Sequence, residues 1–109
     1  MPGVGAVLKA DPTLPELQEF IAQKIKEQGF DNETTQDNFM LLVEEVGELA
    51  KALRPLHGTK VADDAATQNI EYEAADVFWL LVCVCNSLGI DLEQAIRAKE
   101  AQIQKRTWR

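Results

Sequence analysis

The chain has 109 residues, enough for one packed core and too few for two. Apolar residues make up 46% and charged residues 27%, a globular composition that excludes wholesale disorder. The net charge of -7 argues against a nucleic-acid partner, because a phosphate backbone demands a basic footprint. A free nucleotide stays open, since a divalent cation can stand between an acidic protein and an acidic ligand.

Residues 1–12 carry Gly and Pro without periodicity and are expected to form a flexible tail, which leaves 13–109 as a single domain. The rest predicts four helices and no strand alternation, an all-α fold. The first helix is expected from near Pro15 to Gly29, a glycine suited to a left-handed stop. "DNETTQDN" supplies turn and cap chemistry, so a second helix starts around Thr35–Asp37 and is ended by Pro55. "LHGTKVADDAAT" reads as a connection. A third helix is expected from about Ala66 to Leu88, stopping at Gly89, and Asp91 caps a fourth that runs to about Lys105.

No charged-then-apolar leader is visible in "MPGVGAVLKA", and the apolar run Val77–Cys85 falls well short of the ~20 residues a membrane helix needs. No membrane partner is expected. Cys83 and Cys85 lie about 200° apart on a helix and can neither bond each other nor share a metal. Two buried free thiols fit a reducing cytoplasm, the expected compartment.

The chemistry lies in carboxylates set against apolar stripes. With Glu45 at 0° and about 100° per residue, Phe39, Leu42, Val43, Val46, Leu49, Ala50 and Leu53 fall between about 40° and 160°. Glu45 borders that stripe, Glu48 sits about 60° beyond it, and Glu44 turns further towards solvent. Glu45 and Glu48 are i and i+3, with Cβ atoms roughly 5–6 Å apart, and can aim at one point. On the third helix Glu73 and Asp76 are neighbours in the same way. Beyond them, Val77 to Val82 are apolar all round, which describes a helix buried on every side.

Unpaired carboxylates at the mouth of a dry region are costly, so either their pKa values rise or cations neutralise them. Few cations of the chain are at hand. Lys51, about 60° from Glu48, is one, and Glu71 to Gly89 holds no Lys or Arg. An all-oxygen donor set favours a hard ion, Mg²⁺ or Mn²⁺. A di-iron carboxylate bundle is the competing metal reading, but it expects Glu-x-x-His pairs, and the sole histidine, His57, falls in the loop after Pro55.

"EEVGEL" followed by "EAADVFWLLV" resembles the MazG-type nucleoside triphosphate pyrophosphohydrolases of the all-α NTP pyrophosphatase superfamily. The family pattern Glu-Glu-x-x-Glu, spacer, Glu-x-x-Asp is met by Glu44, Glu45 and Glu48, then Glu73 and Asp76. The likeness runs from "QGFDNETT" through "SLGIDLEQAI", roughly residues 15–108. It implies a four-helix MazG-like domain whose active site is completed by oligomerisation, as a homodimer or a dimer of dimers. It also implies Mg²⁺-dependent hydrolysis of an NTP or dNTP to the monophosphate and pyrophosphate, a house-cleaning activity. By position, Glu45, Glu48, Glu73 and Asp76 would be metal ligands, and Glu44 would orient the attacking water or hold the outer shell.

Phe30 stands where relatives carry an aromatic base contact, although it also suits a packing staple for the first helix. Lys99 and Arg106 preserve the ends of a Lys-x-x-x-Asn-x-x-Arg phosphate grip in which Ile103 replaces Asn. Their charges equally favour a helix carboxyl end. Lys51, Asn86 and Trp108 complete the substrate-binding candidates. Asn86 also reads as a satisfied core amide and Trp108 as a plug at a subunit contact. Two other readings remain: a dUTPase-like or phosphoribosyl-ATP pyrophosphohydrolase of the same superfamily, and a non-catalytic helical dimerisation or metal-sensing module.

Overall fold

The computed structural model describes residues 5–56 and 64–107. Four α-helices account for most of them: α1 (Leu14–Glu27), α2 (Thr35–Leu53), α3 (Asp64–Ser87) and α4 (Leu92–Thr107). No strand occurs among the described residues, so the fold is all-α as expected. Helix α3 starts at Asp64, two residues before the expected Ala66, and takes in part of the stretch read as a connection.

The helix ends follow local chemistry. Thr13 and Glu16 form a capping box at α1: Thr13 Oγ1 accepts the Glu16 N–H, and Glu16 Oε1 accepts the Thr13 N–H at 2.7 Å. Thr34 and Asp37 repeat it at α2, and Asp91 Oδ1 accepts the Gln94 N–H at the start of α4. Gly29 and Gly89 have φ of 79° and 68°, a conformation that other residues adopt only with strain. Each lets the chain turn back so that the next N–H bonds a carbonyl of the last helical turn, Phe30 to Ile25 and Ile90 to Cys85.

The chain gathers into two compact units, Glu33–Val84 and the described parts of Met1–Asn32 with Cys85–Arg109. In the second of these, α1 packs on α4. Gln18, buried on α1, stitches this unit together. Its Nε2 donates to Asn86 Oδ1 at 3.0 Å and to the Ile90 carbonyl at 2.8 Å, and its Oε1 accepts the Leu92 N–H at 2.8 Å. The Asn86 Nδ2 donates back to the Gln18 carbonyl. An unsatisfied N–H at the first position of α4 is thereby paired from another helix.

Residues 5–12, expected as a flexible tail, make contacts with α1. The Ala6 N–H donates to Glu27 Oε2 at 2.9 Å, and Lys9 pairs with Glu16 at 2.9 Å.

In the Glu33–Val84 unit, α2 and α3 run antiparallel. The middle of α2 meets the first half of α3 at Glu45, Glu73 and Asp76, while Glu33, just before α2, acts electrostatically on Cys83 near the other end of α3. Helix α2 buries no residue fully, and its apolar stripe stays open: Phe39, Val43 and Val46 are 53%, 52% and 48% exposed. The all-round burial expected for α3 needs correction. Val82, Cys83 and Cys85 are buried, Val77 to Leu80 are half-buried, and Leu81 is exposed. One copy of the chain has too few apolar faces to cover the run from every side.

Candidate functional site

Helix α2 supplies Glu45 and helix α3 supplies Glu73 and Asp76. One carboxylate oxygen from each lies within 4.8 Å of the other two. Glu45 and Glu73 are half-buried and Asp76 is exposed, so the group stands at the edge of the packed region, open on one side. Such a cluster is electrostatically unfavourable unless protons or cations join it.

Both signs of that tension are present. Partial burial pushes the Glu45 carboxyl above its ordinary value. A hydrogen bond with Glu73 and the negative charges of Asp76, Glu73 and Glu48 push it the same way. Glu73 Oε2 is buried without a hydrogen-bond partner among the described residues. Three convergent carboxylates, one of them with an unpartnered buried oxygen, fit a hard divalent cation.

The other candidates from the acidic motif lie at the periphery. Glu48 adds its field to Glu45 but is exposed and is not one of the three convergent residues. Glu44 and Lys51 are also exposed on α2. The two members of a Glu-x-x-Glu pair point about 60° apart, so a neighbouring helix on one side is met by one of them first.

Of the described substrate-binding candidates, Lys51 belongs to the Glu33–Val84 unit and Phe30, Asn86, Lys99 and Arg106 to the other. Phe30 follows α1 and is 53% exposed. Lys99 Nζ donates to Gln102 Oε1 on α4, and Arg106 is exposed in the last turn of that helix. Asn86 has both ends of its amide engaged by Gln18. Trp108, like His57, lies outside the described residues. None of the candidates lines the groove between residues 6–9 and α1, nor the one formed by Leu14 with Glu93, Ile96, Arg97 and Glu100.

Cys83 and Cys85 are buried free thiols. Burial raises both above the ordinary thiol value, and the charge of Glu33 adds to the effect at Cys83, which keeps them protonated and unreactive. Among the described residues no single helix is long and apolar enough to cross a membrane.

Two residues escaped the reading of the motifs. Gln18 occupies an apolar-face position of α1, in the series Leu14, Gln18, Ile21, Ile25, and that interruption was the available signal. Tyr72, 62% exposed and immediately before Glu73, was hidden beside the more conspicuous acidic residues.

Comparison with known proteins bears on the family and the fold. The family model for the MazG nucleotide pyrophosphohydrolase domain matches residues 33–108 and so takes in all three convergent carboxylates. The structure is similar to the crystal structure of the Bacillus-conserved MazG protein, a nucleotide pyrophosphohydrolase. The TM-score is 0.72 and the identity 26%, over 87% of this chain and 93% of that one. A curated relative, the uncharacterized protein YpjD of Bacillus subtilis (strain 168), is 43% identical over 58 residues. That match spans 50% of this chain and 50% of the relative's length. With the four-helix fold and the acidic triad in place, the chain belongs to the MazG nucleotide pyrophosphohydrolase domain family.

Proposed function

We propose that this chain hydrolyses nucleoside triphosphates, ribo or deoxy, to the monophosphate and pyrophosphate, with Mg²⁺ as cofactor and Mn²⁺ as substitute. The observation that supports it most is the convergence of Glu45, Glu73 and Asp76 within 4.8 Å, with Glu73 Oε2 left unpartnered. These oxygens suit Mg²⁺, which takes one or two carboxylates and fills its remaining positions with water and substrate phosphate. Bound there, the ion supplies neutralisation of the triphosphate and activation of water.

The chain's own residues do the remainder. Glu45, Glu73, Asp76 and, from the exposed side of α2, Glu48 would hold divalent cations between them, one or two carboxylates to each ion. A carboxylate not saturated by metal, Glu45 or Glu48, accepts the proton of the attacking water, and Glu44 orients that water or holds the outer shell. Lys51, Lys99 and Arg106 are the cationic side chains proposed for the β- and γ-phosphates. Asn86 we assign to packing, since Gln18 occupies its amide.

The open stripe on α2 supports assembly into a homodimer or a dimer of dimers that completes the site. Removal of standard and damaged nucleotides from the pool, in a reducing compartment such as the cytoplasm, is the role this activity serves.

The test is an assay of Mg²⁺-dependent pyrophosphate release from a nucleotide panel that includes dUTP and phosphoribosyl-ATP, with wild type, Glu48→Gln and Asp76→Asn. Loss of an outer-shell partner already costs 10–100-fold at metal sites, so each variant should fall by roughly 100-fold. Wild-type rates in both folded variants would remove the assignment.

A further inference from the structure

Tyr72 precedes Glu73 directly and lies one helical turn before Asp76 on α3. At about 100° per residue it stands about 40° from Asp76 around the helix axis, with Cβ atoms roughly 6 Å apart, so the two share a face. The side chain is 62% exposed, yet it is held: Gln68 Nε2, a turn earlier, donates to Tyr72 Oη at 2.9 Å. The phenol is thus tied to its own helix, on the face it shares with Asp76, while most of the side chain lies open to water.

Few other side chains offer this. Among the described residues the further exposed aromatics are Phe30 and Phe39. Phe39 lies about 120° from Glu45 around α2, on the apolar stripe. Phe30 belongs to the other compact unit. Trp79 and Phe78 are half-buried. The exposed aromatic that borders the triad on one of its own helices is Tyr72.

We infer that Tyr72 is the platform against which the nucleoside half of the substrate packs, an inference that rests on the pyrophosphohydrolase reading above. The triphosphate is drawn to the cation held by the carboxylates, and the nucleoside must then lie against an uncharged surface close by. A base laid on the Tyr72 ring removes two apolar faces from water at once. Every base has such a face, so this contact adds affinity without choosing among bases. Gln68 acts as a positioning residue that holds the phenol and restricts the ring before substrate arrives.

The experiment measures kcat and KM for the four standard ribonucleoside triphosphates with the full chain and Mg²⁺. Wild type is compared with Tyr72→Ala, Tyr72→Phe and Gln68→Ala, and Mn²⁺ affinity is titrated for each. Tyr72→Ala should raise KM about tenfold for all four nucleotides, leaving kcat and Mn²⁺ affinity close to wild type, because binding common to ground and transition states is lost. Tyr72→Phe and Gln68→Ala, which remove the same hydrogen bond from its two ends, should both fall between wild type and Tyr72→Ala. An unchanged KM in Tyr72→Ala overturns the inference, as does a fall in kcat accompanied by weaker Mn²⁺ binding, which would place Tyr72 in support of the carboxylates. A wild-type chain that releases no pyrophosphate from any nucleotide fails the underlying reading and takes this inference with it.

Discussion

Glu45 carries a proton-linked signature that the metal-free chain should display. Its carboxyl is raised from the ordinary 4.5 by burial first, then by Glu73, Asp76 and Glu48. Below the ordinary value both folded and unfolded chains hold the proton. As pH climbs from there through the raised folded value, the unfolded chain gives it up first, so stability falls. Glu16 has the opposite sign. It is lowered to about 2 by the Thr13 N–H and then by Lys9, so its contribution is complete above 4.5 and is lost as pH drops through about 2. Unfolding of the apo chain measured against pH should therefore show a decline above pH 4.5 that is absent from Glu45→Gln and reversed by a divalent cation. A decline of equal size in the variant would contradict the assignment. The pairing of α2 and α3 acidic residues was legible in their spacing, because i and i+3 residues share a helix face. The separate fates of Glu45 and Glu48 were not, because the choice between them depends on where the partner helix lies.

The elements were readable where their signals are local. Thr34 before Asp37, Asp91 before Gln94, Gly29 and Gly89 act within one turn of themselves, and each does in the structure what its type dictates. What a pattern of apolar positions cannot reveal is a polar side chain turned inward. Gln18 satisfies Asn86, Ile90 and the first N–H of α4 at once, and all three partners lie some 70 residues away in sequence. Gln18→Ala leaves that N–H and two acceptors without partners and should cost about 3 kcal/mol. Chemical denaturation checks this, with a loss below roughly 0.5 kcal/mol, the level of an ordinary surface change, as the contrary result. The start of α3 moved to Asp64 because Asp63–Thr67 carries no strong breaker, and a connection read only from polarity is easily shortened by a helix that extends into it.

For the molecule as a whole, composition and hydropathy gave the all-α class but overstated how much of α3 a single chain encloses. Leu81 on α3, with Phe39, Met40, Val43 and Val46 on α2, leaves more apolar surface in water than a self-sufficient chain of this size usually exposes. The proposed assembly of copies would cover that surface, and it is testable without reference to catalysis. Sedimentation at micromolar concentration should find a dimer or a dimer of dimers. Phe39→Asp, which sets a charge in the open stripe, should shift the chain towards monomer, and a wild-type monomer would show the stripe to be simply solvated. The negative net charge acts at the same scale: it would repel the proposed triphosphate, whose approach a bound cation would permit.

The proposed activity depends on Glu45, Glu73 and Asp76 gripping a divalent ion together. The most direct measurement is a calorimetric titration of Mn²⁺ into the wild-type chain and into Glu73→Gln, repeated in buffers of different ionisation enthalpy so that released protons are counted. Wild type should bind and, at a pH below the raised Glu45 value, give up a fraction of a proton as the ion displaces it, while Glu73→Gln binds at least tenfold more weakly. Equal affinity in the two folded proteins, with no proton released by either, would contradict it.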